Sequence, residues 1–197
     1  MKILIDCGTH LGEGMEKMIK HYSIDNTWKI FTFEPNTDSY QQVITKDFGL
    51  KNIAFANKAV WITDGTVSFH AETPPNSEKS DGTGSSIVDT KDWSPKNPGN
   101  SGVGEFNNTY QVSCINLSKF IKENFLKEDF IVLKLDIEGA EFEVLKDMID
   151  TGSIKYVDEL YVEFHEWAMK SKSLLSKYKL ILSLLANNWR LKLTVWH

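Results

Sequence analysis

The stretch Lys2-Ile3-Leu4-Ile5-Asp6-Cys7-Gly8-Thr9-His10-Leu11-Gly12-Glu13-Gly14 decides how the rest of the chain is read. Its run Ile3-Leu4-Ile5 is of the buried-strand type, apolar without alternation. Asp6 ends the run, three glycines follow, and Met15, Met18, Ile19 and Tyr22 then recur at helical spacing. Strand, glycine turn and helix in this order carry backbone N–H groups and a helix start to one edge of a parallel sheet. Open α/β sheets bind their ligands at that edge.

The same alternation of short apolar runs and amphipathic stretches continues to the end of the chain. It predicts an α/β fold, a mostly parallel sheet covered by helices. Strands are expected at 29–33, 53–60, 110–115, 130–135, 156–164 and 189–196. Helices are expected from the Asn36-Thr37-Asp38 cap to about Phe48, over 117–125 behind Asn116, over 139–150 and over 168–188. Thr63-Asp64-Gly65 between two strand-like runs reads as a hairpin turn. Residues 73–109 are rich in Pro, Ser, Asn and Gly and read as a long surface excursion, of the kind that is functional or disordered. With 197 residues the chain fits one domain, 1–197, carrying that excursion.

Composition narrows the function classes. No apolar run approaches the length of a membrane span, and the N-terminus lacks the pattern of a signal peptide. Cys7 and Cys114 make neither a disulfide framework nor a metal spacing, so reduced thiols and a cytoplasmic location are expected. The net charge of −5, with Arg190 the single arginine, argues against a nucleic-acid partner.

Charge also bears on the ligand of the glycine loop. Glu34 ends the second strand, where a carboxylate can accept hydrogen bonds from both hydroxyls of a ribose. Asp6 and Glu13 would repel a dinucleotide pyrophosphate, and the loop departs from G-x-G-x-x-G. A nucleoside without phosphate that carries cationic groups fits better, and S-adenosylmethionine is such a molecule. Lys134-Leu135-Asp136-Ile137-Glu138-Gly139-Ala140-Glu141 supplies a second acidic motif. Asp136 ends a strongly apolar strand, and Glu138 and Glu141 read as charges of a solvated first helical turn.

Leu4-Ile5-Asp6-Cys7-Gly8, Phe33-Glu34-Pro35-Asn36 and Lys134 to Glu141 together resemble the motifs of the FkbM family of methyltransferases, over nearly the whole chain. The resemblance implies a Rossmann-like class I methyltransferase fold. That is a three-layer sandwich with a seven-stranded, mostly parallel sheet that has one antiparallel strand. It also implies S-adenosylmethionine as cofactor and usually a hydroxyl oxygen of a sugar or natural product as acceptor. Asp6, Gly8 and Glu34 then fall on cofactor-binding positions and Asp136 at the cofactor–substrate junction. His10, Gly12 and Pro35 complete the candidate cofactor set.

Methylating a hydroxyl requires alignment and removal of a proton. His165, at the end of Tyr161-Val162-Glu163-Phe164-His165-Glu166, is the first candidate for the base and Asp136 the second. A divalent metal held by Asp136, Glu138, Glu163 and His165 is a minor alternative. In the excursion, Trp93 could stack on a sugar and Ser85-Ser86 could reach the cofactor pocket. The expected activity is O-methylation of a sugar, glycan or other small molecule. The alternatives are methylation of nucleic acid or of an amino group, or a non-catalytic cofactor-binding module. The adjacent Pro74-Pro75 does not supply the Asn-Pro-Pro-Tyr type of motif expected for base amino groups. Oligomeric state leaves no mark in the sequence.

Overall fold

The computed structural model describes residues 1–73, 84–88, 105–165 and 174–196. Its elements are β1 (Lys2–Cys7), α1 (Glu13–Tyr22), β2 (Trp28–Phe33), α2 (Thr37–Val43), β3 (Ile53–Ala56), β4 (Ala59–Trp61), β5 (Gly65–Thr73) and β6 (Glu105–Asn116). They continue with α3 (Leu117–Asn124), β7 (Phe130–Leu135), α4 (Glu141–Asp150), a 3₁₀ turn (Ser153–Tyr156), β8 (Glu159–Val162), α5 (Leu174–Asn187) and β9 (Lys192–Val195).

The main sheet has six strands in the order β3-β2-β1-β7-β8-β9. Every neighbouring pair in it is parallel. From β1 the chain steps outward to β3, and from β7 it steps the other way to β9. The order therefore reverses between β1 and β7, and a crevice opens beyond their C-terminal ends. Ile121 of α3, Val144 and Leu145 of α4 and Leu184 of α5 pack on one face against Ile3, Ile5 and Leu133. Met15 and Met18 of α1 pack on the other face against Leu4 and Val132. Each such buried side chain contributes roughly 1.5–3 kcal/mol. The result is the Rossmann-like three-layer α/β sandwich, and it explains why β1 and β7 are apolar without alternation: both of their faces are covered.

The sheet differs in detail from the sequence expectation. Among the described residues it holds six strands rather than seven, and none is antiparallel. Antiparallel pairing occurs instead in a second sheet of order β4-β6-β5, where β5 runs antiparallel to β6 and β4 parallel to it. The run 53–60 therefore splits between two sheets. Asn57 marks the exit, its Nδ2 donating to the carbonyls of Glu34 and Pro35. The Asp64-Gly65 turn does not close a hairpin either, because β6 lies between β4 and β5. Asp64 instead accepts from the Asn116 N–H at 3.0 Å and pairs with Lys119, tying the turn to the start of α3.

Asn36 caps α2 by accepting from the N–H groups of Asp38 and Ser39, and Asn116 caps α3 through the Lys119 N–H. The former helix stops at Val43 rather than near Phe48. Thr45 and Lys46 donate to carbonyls three residues back, and Phe48 packs on the α1-side core cluster. The described part of the excursion belongs to the second sheet: β6 begins at Glu105, and Ser86 forms a bridge with His70. Trp93 lies outside the described residues. Cys7 and Cys114 are buried free thiols. No helix among the described residues is long and apolar enough to cross a membrane.

Candidate active site

A cavity of about 350 Å³ occupies the crevice beyond β1 and β7, at the lower end of the range for small-molecule sites. Its floor is the turn after β1. Gly8 adopts φ +77°, and its N–H donates to the Phe33 carbonyl at 3.0 Å. A side chain at this position would place Cβ 1.7 Å from the Asp136 carbonyl oxygen. The two strand-end turns thus touch backbone to backbone, which only glycine permits.

Glu34 stands at the far side of this floor, after β2. It is 6% exposed, and each carboxylate oxygen is aimed by one backbone donor. Oε2 accepts from the His10 N–H at 2.7 Å and Oε1 from the Asn36 N–H at 2.8 Å. A carboxylate has about four lone-pair sites, so both oxygens keep capacity for a ligand diol. Burial pushes the Glu34 carboxyl up, against the pull of those two N–H groups. His10 takes a left-handed φ of +50° to present its N–H, and its ring lines the cavity.

Asp6 and Lys134 are register partners on adjacent strands, on the sheet face covered by α1. Both are buried. Lys134 Nζ lies 3.1 Å from Asp6 Oδ1 and 3.4 Å from Asp136 Oδ2, and it donates to the Gly8 carbonyl at 3.0 Å. No described residue makes a hydrogen bond of good geometry to either Asp6 oxygen, so the ammonium of Lys134 compensates its charge mainly as an ion. Burial raises the Asp6 carboxyl and Lys134 opposes that rise. Burial would lower the Lys134 ammonium, but the charges of Asp6 and Asp136 outweigh it and raise its pKa.

The third group lies around α4. Glu141 has no exposed surface. It accepts from the N–H groups of Ile137 and Gly139 and from His165 Nδ1 at 2.9 Å. His165 Nε2 faces Glu138 Oε2 at 3.3 Å and Glu163 Oε1 at 3.9 Å. Burial alone would lower the imidazole, but the hydrogen bond to Glu141 and the charges of Glu141, Glu138 and Asp136 raise it to about 9. Glu138 is pushed up to about 8, first by burial, then by its acidic neighbours against the pull of His165. His165 is therefore protonated at neutral pH.

This arrangement has a measurable consequence. A folded-state pKa above the unfolded one means the native state holds the extra proton. The stabilisation from His165 is complete below about pH 6.5 and is lost as pH rises through about 9. The raised Glu138 acts in the same direction. Thermal melting should fall steadily between those limits, and the His165 ring resonance should titrate near pH 9. A midpoint near 6.5 would contradict the geometry.

The structure brings most of the sequence candidates together, with different duties. Gly8, His10, Glu34, Pro35, Asp136, Glu138 and Glu163 line the cavity. Asp6 lies beneath it and is 0% exposed, so it reaches a ligand only through Lys134. Gly12 does not line the cavity; it turns the chain into α1 with φ +93°, and a Cβ there would meet the Phe48 ring. Gly14, the last of the three loop glycines, does line the cavity and packs on the stem of Lys134. His165 does not line the cavity, and its protonated ring has no lone pair with which to take a proton. Asp136, Glu138 and His165, three of the four residues of the metal alternative, each bring one possible ligand atom within 4.8 Å of the others, while Glu163 is outside that group. A metal there would first have to displace the imidazole proton.

Sequence reasoning missed Lys134, the buried role of Glu141, and the apolar roof formed by Ala59, Phe69 and Ile87. A lone lysine inside the apolar run of β7 was the available signal for the first. The Ser85-Ser86 expectation holds in position: Ser85 lines the cavity, and Ser86 exchanges two backbone hydrogen bonds with His70 and donates its hydroxyl to the Glu138 carbonyl.

No curated protein and no solved structure matches the chain. The sequence model described as the methyltransferase FkbM domain matches residues 6–188, a span that runs from Asp6 through every cavity-lining segment to the end of α5 except Trp196. The chain belongs to the FkbM family of methyltransferases.

Proposed function

We propose that the chain transfers the methyl group of S-adenosylmethionine to a hydroxyl oxygen of a sugar, glycan or other small molecule. Glu34 is the observation that carries the cofactor half of this reading. Its two oxygens are oriented by separate backbone donors at the cavity wall, which is the arrangement a vicinal diol of a ribose requires. The acidic neighbourhood supports the rest. Asp136, Glu138 and Glu163 line the cavity beside Lys134, an environment favourable to a cationic cofactor and hostile to a pyrophosphate.

S-adenosylmethionine, when bound, supplies a methyl carbon already activated by its sulfonium. The chain's own work is alignment and proton removal. With His165 protonated, the proton falls to the wall carboxyls, Asp136 and, in the fraction that ionises as pH rises toward 8, Glu138. A base held near the operating pH suits that task, and Glu138 is pushed up to about 8. His165 and Glu141 then serve to hold Glu138 in place. The polar cavity wall suits a neutral hydroxylated acceptor.

Isothermal titration tests the cofactor assignment. The protein should bind S-adenosylmethionine and S-adenosylhomocysteine but not NAD; binding of NAD alone, or of none of them, sinks it. Glu34→Gln puts an N–H donor where one backbone donor already points and removes a charged acceptor from the diol. Losing one hydrogen bond to the carboxylate and the charge behind the other, roughly 1.5–3 kcal/mol together, weakens binding by about ten- to a hundredfold. An unchanged affinity would remove Glu34 from the site.

A further inference from the structure

Lys134 is a cation in the wall that joins the first turn to the second, and its surroundings are built to keep it there. It is 3% exposed, in a strand whose adjoining positions, Leu133 and Leu135, are apolar. The first turn of α1 closes over its stem: a Cβ at Gly14 would lie 2.5 Å from Lys134 Cε. A helix that packs on a lysine through glycine leaves the ammonium no room to swing away. Nζ is thereby fixed at three oxygens, those of Asp6, the Gly8 backbone and Asp136.

Two of these contacts do more than neutralise charge. The Gly8 carbonyl belongs to the left-handed turn that forms the cavity floor, and Asp136 lines the cavity. We propose that Lys134 is a positioning residue for the cofactor: by holding the Gly8 carbonyl and the Asp136 carboxylate at one ammonium, it sets the spacing of the two turns between which the cofactor lies. Asp6 is the counter-ion that keeps this ammonium acceptable beneath the sheet edge. The inference rests on the cofactor reading above and adds a role that counter-charge alone would not give.

Stability and positioning can be separated. Lys134→Met alone strands two carboxylates and is expected to lower the melting temperature, which any buried ion-pair partner would do. The informative variant is the double Asp6→Asn with Lys134→Met, which removes the buried pair while nearly keeping its volume, with Asp6→Asn alone as its reference. The expected result is a double variant that melts close to the reference but binds S-adenosylmethionine and S-adenosylhomocysteine at least tenfold more weakly by isothermal titration. Binding within threefold of the reference, or a double variant that does not fold, leaves Lys134 only a structural counter-ion and overturns the proposal. Failure of the unaltered protein to bind either compound is a different result: it sinks the cofactor reading itself, and this role with it.

Discussion

Gly8→Ala should destabilise the protein by at least about 3 kcal/mol and abolish measurable binding of S-adenosylmethionine. Two costs add. A non-glycine residue in the left-handed region, here φ +77°, costs roughly 1–2 kcal/mol. The second cost is steric and larger, because the new Cβ would sit 1.7 Å from the Asp136 carbonyl oxygen and 2.8 Å from its carbon. Those are backbone atoms with no rotamer to change. Asp136 cannot retreat without breaking its N–H bond to the Cys7 carbonyl, and Gly8 cannot retreat without losing the Phe33 carbonyl and Lys134 Nζ. The turns must part, and the cavity floor goes with them. For a chain of this size each kcal/mol shifts the melting temperature by about 2–4 °C, so a fall of at least about 6 °C is expected. Gly12→Ala is the internal control. Its φ of +93° brings similar backbone strain, but its Cβ would meet the Phe48 and Val43 side chains, which can give way. A Gly8 variant that melts and binds like Gly12→Ala would show that the turns do not depend on each other.

That contact explains how far the sequence could be read. Ile3-Leu4-Ile5 and the run of β7 identify central strands because burial on both faces leaves a mark in one segment alone. Their strand ends place Asp6, Glu34 and Asp136 at one sheet edge without any knowledge of the partners. The errors arise where the deciding neighbour is distant in sequence. Asp64-Gly65 has hairpin chemistry, but β6, about forty residues further along the chain, lies between the strands the turn should join. Glu141 looks like a solvated first-turn charge, and His165 like an unperturbed imidazole, until each is placed beside the other. Lys134 sits within an apolar strand, and its reason for being there is Asp6, on the neighbouring strand but 128 residues earlier in the chain. The glycines divide in the same way. Gly8 and Gly12 both turn the chain, and only tertiary contact reveals that one faces the second acidic motif and the other a phenylalanine.

Glu141→Ala should cost about 3–5 kcal/mol. The carboxylate is fully buried and acts as the hub of the turn after β7. That turn holds Glu138 at φ +52° and Gly139 at φ +105°, so its amides point inward, where Glu141 collects those of Ile137 and Gly139. Alanine leaves both donors without an acceptor, at about 1–3 kcal/mol for each buried unsatisfied group. It also removes the buried partner of a protonated histidine, and breaking a buried pair costs about 3–5 kcal/mol by itself. The terms overlap, because a relaxed turn can admit water to the freed donors, so the broken pair's about 3–5 kcal/mol, rather than the sum, is the expectation. Urea denaturation measures it, and a loss below about 1 kcal/mol would mean that Glu141 is not the hub. Glu141→Gln separates the two roles. Its amide oxygen can still accept from the turn, while the charge that raises His165 is gone. The Gln variant should therefore keep more of the stability, and its His165 resonance should titrate below pH 9, toward the ordinary range. If Gln and Ala lose equal stability, the charge on Glu141 matters more than its geometry. If His165 titrates unchanged in the Gln variant, Glu138 rather than Glu141 holds the proton on the ring, and the order of support behind the cavity wall is reversed.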